Sequence, residues 1–367
     1  KIMLTWIEIN KKNILHNIRQ FKNLAPKAEF WPVVKSNAYG HGSKEIVAFL
    51  KGNDDVSGFM VANLEEALEI KALTNKPIIV LSYFDRENTE LLEQVDSQIS
   101  LPIYDLDTVD YLQALNKDIL VNVKIETGTS RLGFRVDEAK KAIEHIEAKK
   151  NINIFSIFTH YAESEAEDQT FTKNQLAIFE KATKDYKKYK LHSACSAASI
   201  ALPESQGNIV RIGLAFYGLW PSEATKRRAW MSKMCLQPLM SWKTKVVQIK
   251  QLKKGDSVGY NRSYKCTKDC KVVVLPIGYN EGYSRLLSNS GEVLIKGQRC
   301  SVRGNICMNL TMAEIPNDLD VEVGEVVTLL GQDNGQNISV EEVAKQCQTI
   351  NYEIVTRINP NLIRKIV

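Results

Sequence analysis

The sequence contains no apolar run approaching the roughly 20 residues that a bilayer-spanning helix needs. Its first residues do not lead from a charged stretch into an apolar one, as a secretory leader does. Both absences argue against a membrane protein, and a cytoplasmic one is expected. Internal repeats and low-complexity tracts are also missing. Basic residues barely outnumber acidic ones, 48 against 43 for a formal charge of +5. They are scattered through helical stretches such as residues 181–190 without interleaved aromatics, which argues against a nucleic-acid partner. Cysteine is sparse for a chain of 367 residues: there are seven, an odd number. That is not the framework of a small disulfide-stapled scaffold, and it suits a reducing compartment. The closest pair, Cys266 and Cys270, has no nearby histidine and no second cysteine pair, so no metal site is expected and two unpaired thiols are the plain reading.

What is present is ordinary globular composition, 44% hydrophobic and 25% charged, in a chain long enough for two domains or a barrel with an appendage. Between residues 30 and 215, eight short apolar runs alternate with amphipathic stretches, at 30–35, 56–62, 77–83, 99–104, 119–127, 154–160, 191–193 and 209–212. The intervening Leu64-Glu65-Glu66-Ala67-Leu68-Glu69-Ile70 shows the helical period, with apolar side chains on one stripe and carboxylates on the other. An open doubly wound sheet has the same alternation; the count of eight favours a (β/α)8 TIM-type barrel. Past residue 235 the texture turns to β-rich runs at 241–249, 271–275, 291–295 and 326–330, split by turn signals such as Asp333-Asn334-Gly335. The expected organisation is therefore an α/β barrel over 1–235 and a mostly antiparallel β domain over 236–367. The alternating segment 4–10 is free to pair with the second domain.

The first stretch with chemical content is Val33-Val34-Lys35-Ser36-Asn37-Ala38-Tyr39-Gly40-His41-Gly42. A lysine here leaves an apolar strand and enters a loop of small residues. At the C-terminal end of a barrel strand it points into the desolvated mouth, where burial favours the free amine that attacks carbonyls. Lys35 is thus a Schiff-base candidate, although position alone also fits a lysine that snorkels to cap the strand.

This segment resembles the pyridoxal-phosphate lysine motif of the alanine racemases, and similar motifs follow in order over nearly the whole chain. They are Val123-Lys124-Ile125-Glu126-Thr127-Gly128 with Arg131-Leu132-Gly133, Phe158-Thr159-His160, Val210-Arg211-Ile212-Gly213 with Tyr217-Gly218, Val258-Gly259-Tyr260, Ile277-Gly278-Tyr279, Cys307-Met308 and Ile350-Asn351-Tyr352-Glu353. The resemblance implies a barrel with a C-terminal β domain, pyridoxal 5'-phosphate as cofactor, and interconversion of L- and D-alanine that provides D-alanine for peptidoglycan. Racemisation removes a proton from one face of Cα and adds one to the other, so it needs two acid/base groups. The resemblance assigns these as Lys35 and Tyr260, the tyrosine coming from the other subunit of a head-to-tail homodimer with shared active sites.

The same resemblance gives the cofactor further partners. Arg211 would face the pyridine nitrogen; a guanidinium cannot accept a proton, so the cofactor becomes a weaker electron sink. His160 would favour the phenolate of Tyr260. Tyr39, Ser196 and Tyr352, with the backbone at Gly213 and Leu214, would hold the phosphate. Arg131 would contact the phenolic oxygen and the substrate carboxylate, with the Met308 backbone contributing from the partner subunit. Lys124 matches a position that many family members carboxylate. Tyr279, Arg285, Glu165 and Ile350 match the substrate entrance, and Tyr352 would restrict the pocket to a methyl side chain.

Four departures from the family pattern stand out. Thr129-Ser130 replaces the usual Met-Gly before Arg131, which predicts a different backbone there. Cys195 replaces an Asn, Asn305 an entrance arginine, and Asn309 the Asp that follows Met308. Competing readings on the same scaffold are a serine-preferring or broad-specificity racemase and a non-catalytic pyridoxal-phosphate carrier, the latter disfavoured by residues 236–367. A decarboxylase generally needs an acidic partner at the pyridine nitrogen, where this chain offers Arg211.

Overall fold

The computed structural model describes residues 4–367, which divide into two compact units. One comprises residues 12–38 and 43–237; the other comprises residues 4–11, 39–42 and 238–367.

The first unit is a barrel of eight parallel strands, Glu29–Pro32, Phe59–Val61, Ile78–Val80, Ile99–Ile103, Ile119–Glu126, Ile152–Phe158, Lys190–His192 and Ile209–Ile212. They are the eight apolar runs of the sequence. Six pair in chain order from Phe59–Val61 to Lys190–His192. The first and last pair with each other through Ile209↔Glu29 to Ile212↔Pro32. Parallel bridges Val33↔Met60 and Cys195↔Arg211 close the two remaining seams, so the open-sheet alternative is ruled out. Phe59–Val61 and Ile78–Val80 are buried along their whole length, as strands covered on both faces require. Their outer cover is amphipathic: Leu64–Lys71 buries Leu64, Ala67 and Ile70, and its first turn is capped by Asn63 accepting from the Glu66 N–H.

The second unit is one mixed sheet. Its strands run in the order Gln248–Leu252, Cys270–Leu275, Thr311–Ile315, Gln298–Val302, Glu292–Ile295, Val326–Asp333, Met240–Lys245, Thr5–Ile9 and Ile363–Ile366. All neighbours are antiparallel except the last pair. The N-terminal alternating segment does join this unit, with Thr5↔Thr244 and Trp6↔Ile363 in register. The run 241–249 is two strands rather than one: Met240–Lys245 pairs with Thr5–Ile9 and Val326–Asp333, whereas Gln248–Leu252 pairs with Cys270–Leu275. No described helix is long and apolar enough to cross a membrane.

Candidate active site

Lys35 follows the first barrel strand after Val33 and Val34, both buried. The carbonyl of Val33 accepts from the buried Tyr217 hydroxyl at 2.7 Å, and the Val34 N–H donates to Met60 O at 2.7 Å. The strand end that presents the lysine is thus held from two sides. Burial first, then the Arg131 charge, lowers the Lys35 pKa from the ordinary lysine value, against an opposing pull from Glu66. After Lys35 the chain turns left-handed, with φ near 53° at Ser36, Asn37, Ala38 and Tyr39. Such a conformation costs roughly 1–2 kcal/mol per non-glycine residue and persists because its surroundings hold it. Glu66 accepts the Ser36 N–H at 2.7 Å, and Asn37 Oδ1 accepts the Ser43 N–H at 2.9 Å. Gly40 then packs where a Cβ would lie 1.9 Å from Val355 O, so only glycine fits against the helix Asn351–Thr356.

Arg211, in the last barrel strand, is almost fully buried. Its guanidinium donates to His192 Nδ1 at 2.9 Å, Ser193 O at 2.8 Å, Thr159 O at 2.9 Å and His160 Nδ1 at 3.2 Å. Because arginine only donates, both histidines must accept at Nδ1 and carry their proton on Nε2 when neutral. Burial, then the Arg211 charge, keeps both rings neutral, with pKa values well below the ordinary histidine value. The direction continues inward. His192 Nε2–H donates to Ser156 Oγ at 2.9 Å, Ser156 donates to Asn122 Oδ1 at 2.7 Å, and Asn122 donates to Ser100 Oγ at 2.7 Å. Four buried side chains therefore form a one-way chain behind Arg211, with His192 also stacked on Phe158 at 5.1 Å between centroids.

Lys124 lies two residues beyond Asn122 on the same strand face and is buried. Desolvation and the charges of Arg131 and Arg211 lower its pKa to about 8, Glu126 opposing and Lys35 adding to the fall. Glu126 shapes the next loop: its carboxylate accepts from the N–H groups of Gly128, Thr129 and Arg131 and from the Thr129 hydroxyl. Burial pushes its pKa up, but the donors prevail and hold it at about 2. The Thr129-Ser130 departure thus has a structural role, Thr129 adding a hydroxyl to the clasp and Ser130 taking the left-handed conformation at φ 52°. Gln175, buried on helix Thr170–Thr183, donates to Thr127 Oγ1 and His160 O and accepts from the Ala162 N–H, tying this loop to the one after His160. Ser196 opens the helix Ser196–Ala201 and accepts the Gly213 N–H at 2.9 Å, which places Ser196, Gly213 and Leu214 together. Beside it, Cys195 lies 3.3 Å from Ser164 Oγ. The Glu165 carbonyl accepts from Ser222.

The remaining predicted residues belong to the second unit. Tyr39 and Tyr352 lie together, ring centroids 6.2 Å apart. Tyr260 stands at the tip of a two-stranded ribbon, Ser257–Val258 with Tyr264–Lys265, and is 69% exposed. Its carbonyl accepts from Asn305 at 3.1 Å, and Gly259 before it has φ 74°. Met308 is exposed, and its carbonyl accepts the Asn280 N–H at 2.9 Å. Gly278 permits this close approach, since a Cβ there would lie 2.1 Å from Cys307 O. Asn309 donates to Glu281 at 2.7 Å. Tyr279, Arg285 and Ile350 are exposed. Sequence reasoning passed over Glu66, Ser100, Asn122, Ser156, Gln175 and His192. For the serines and Asn122 a signal existed, polar side chains recurring inside buried apolar strands.

Fold and site together define a TIM-type barrel with a lysine of lowered pKa at the end of its first strand. Comparison with known proteins sharpens this. Residues 9–221 match the model of the alanine racemase N-terminal domain and residues 239–366 that of the alanine racemase C-terminal domain. An alanine racemase of Methanococcus maripaludis is 36% identical over 98% of this chain and 97% of its own. The structure of an alanine racemase from Clostridium difficile 630 superposes with a TM-score of 0.92 at 30% identity, over 100% of this chain and 97% of that one. A histidine racemase from Leuconostoc mesenteroides superposes with a TM-score of 0.90 at 28% identity, over 99% and 98%. The chain belongs to the alanine racemase family, and it is an amino-acid racemase, an isomerase.

Proposed function

We propose that the enzyme interconverts L- and D-alanine with pyridoxal 5'-phosphate, working in the cytoplasm to supply D-alanine for peptidoglycan. The observation that carries this reading is that the first and last barrel strands pair with each other, the first leading into Lys35 and the last carrying Arg211, whose guanidinium is held by four acceptors.

These residues suit the group. When bound, pyridoxal phosphate supplies a carbonyl that condenses with amines and a ring that takes up electron density as the Cα proton leaves. Lys35 is the amine that would hold it. Arg211 would hold the pyridine side and, because it only donates, would favour an unprotonated ring nitrogen and a weaker electron sink. Ser196 with the Gly213 and Leu214 backbone, and Tyr39 with Tyr352, would hold the phosphate. Arg131 would orient the phenolic oxygen and the substrate carboxylate, assisted by the Met308 backbone of a second copy of the chain.

Lys35 and Tyr260 exchange the two protons, one on each face of Cα. His160, neutral and with Nδ1 engaged by Arg211, would have its Nε2–H free to favour the phenolate of Tyr260 from a second copy of the chain. Exposure of Tyr260 on its ribbon supports its donation to a second copy of the chain, giving a head-to-tail homodimer with Tyr279, Arg285, Glu165 and Ile350 at the substrate entrance. The lowered pKa of Lys124 leaves part of it as the free amine that CO2 carboxylates, and a carbamate there would give Arg131 an anionic partner.

The likeness to a histidine racemase favours a second reading of wider specificity, because the fold is common to both substrates. Comparison of kcat/KM for alanine, serine and histidine separates the two. The decisive experiment is borohydride treatment of the cofactor-loaded protein, mass analysis of the peptide containing Lys35, and chiral assay of L-alanine turnover. A covalent adduct on Lys35 together with D-alanine formation supports the proposal; absence of D-alanine overturns it.

A further inference from the structure

The ribbon that carries Tyr260 is not an independent hairpin. It continues the Gln248–Leu252 and Cys270–Leu275 ladder after an interruption at residues 253–254 on one strand and 267–269 on the other. Pairing stops at Leu252↔Cys270 and resumes where Gly255 N–H meets Cys266 O and Cys266 N–H meets Asp256 O, both at 2.8 Å. Cys270 and Cys266 thus stand on the two sides of the bend, one at the end of the sheet and the other at the base of the ribbon. Their sulfurs are 3.6 Å apart, with the Cys270 thiol donating to Cys266 Sγ. Both are buried in a small cluster with Val258 and Val272, against Leu252, Tyr264 and Met312. The cover over this cluster is thin, since residues 253–257 and 267–269 are exposed.

We propose that Cys266 and Cys270 are a redox-closable thiol pair whose disulfide clamps the bend beneath Tyr260. Closure requires the sulfurs to move from 3.6 Å to the roughly 2.0 Å of a covalent bond, a shift within reach of a bend that no regular ladder fixes. The oxidant is a small disulfide. One cysteine thiolate attacks it and releases one thiolate; the other cysteine then attacks the mixed disulfide and releases the second. Two protons and two electrons leave the pair, and the external disulfide is reduced to two thiols. Burial raises the Cys270 thiol pKa to about 11, so the reaction proceeds from locally opened states of the ribbon and is slow in the closed one.

Cofactor-loaded protein is incubated with oxidised glutathione, its remaining thiols are alkylated under denaturing conditions, and peptides are mapped. The expected result is a peptide linking Cys266 to Cys270, lighter by two hydrogens and unalkylated. The exposed Cys235 serves as the internal control and carries a glutathione adduct. Amide exchange of residues 257–265 should slow in the oxidised form and recover with dithiothreitol. Alkylation of both cysteines, a stable glutathione adduct on either one, or a disulfide that leaves exchange of 257–265 unchanged would each overturn the proposal. Cys266→Ser and Cys270→Ser should each abolish the link, and the wild-type map stands if either variant folds poorly. Through the assigned role of Tyr260, the oxidised form should also lose racemase turnover several-fold while Lys35 is still trapped by borohydride. That step rests on the reading of Tyr260 above. Peptide mapping and exchange do not, so failure of the racemase reading leaves them standing.

Discussion

The two proposed proton-transfer groups occupy contrasting settings. Arg211 is fixed by two carbonyls and two imidazoles, and the strand end before Lys35 is held by the Tyr217 hydroxyl and the Met60 carbonyl. Tyr260 stands at the tip of a short ribbon, tied through its backbone to Asn305 and with most of its surface open. In the proposed reaction the barrel would supply pre-organised groups, rigid buried dipoles that need no rearrangement during reaction. Tyr260, proposed to act in a second copy of the chain, is instead largely exposed. Substitutions at the mouth should therefore alter folding stability and chemistry together, whereas substitution at the tip should alter chemistry alone.

The largest effect tests the barrel half. If Lys35 is both covalent anchor and base as proposed, Lys35→Ala should lower racemisation by at least about 10^4-fold, with no borohydride-stable adduct by mass spectrometry. An adduct that persisted would move the anchor to another lysine. Next comes Tyr260→Phe, which should cost about 10^2- to 10^4-fold, more for abstraction from L-alanine than from D-alanine, with Lys35 still trapped and the melting temperature unchanged. A falling melting temperature would break the contrast, because it would make Tyr260 part of the folded framework.

Ser156→Ala sharpens the contrast from inside the barrel. It leaves the His192 Nε2–H without an acceptor and Asn122 Oδ1 without a donor, a loss of about 1–3 kcal/mol for unsatisfied buried groups. Unlike Tyr260→Phe, it should lower the urea midpoint and turnover together and change the 15N shifts that report the His192 tautomer. Restoration of the tautomer by Ser156→Thr would assign the effect to the hydroxyl. An unchanged tautomer in the alanine variant would separate the inner serine and asparagine from Arg211.

Much of the fold is legible in the sequence. All eight barrel strands are legible as apolar runs because most of their residues are buried in the barrel. Gln298–Val302 and Thr311–Ile315 escaped notice because they mix Gln, Arg, Ser, Thr and Glu among residues buried on one side only. Lys35, Arg211 and Tyr260 came from ordered motifs and not from composition. The chain from Ser100 through Asn122 and Ser156 to His192 was invisible because its members are 22, 34 and 36 residues apart, and their significance exists only once strand register aligns them. The Glu126 clasp was equally hidden, although its partners are close in sequence, since a carboxylate before Thr-Gly could as easily face solvent.

That clasp yields the smallest effect and the one with a sign to work out. The carboxylate titrates at about 2 in the fold against an ordinary 4.5, so the folded state favours its ionised form. The stabilisation is fully present above pH 4.5 and is lost as the pH falls towards 2. Because Glu126 is only partly buried, the contribution is discounted for solvent screening to about 1–2 kcal/mol. Urea midpoints of the wild type and Glu126→Gln should therefore differ most near neutrality and converge on acidification, as the wild-type carboxylate is protonated. A difference that stayed constant with pH would assign the effect to shape instead of charge. Since Glu126 also fixes the Arg131 N–H, the variant should raise KM more than it lowers kcat, and Tyr260→Phe should show the opposite split if the tip acts in chemistry alone.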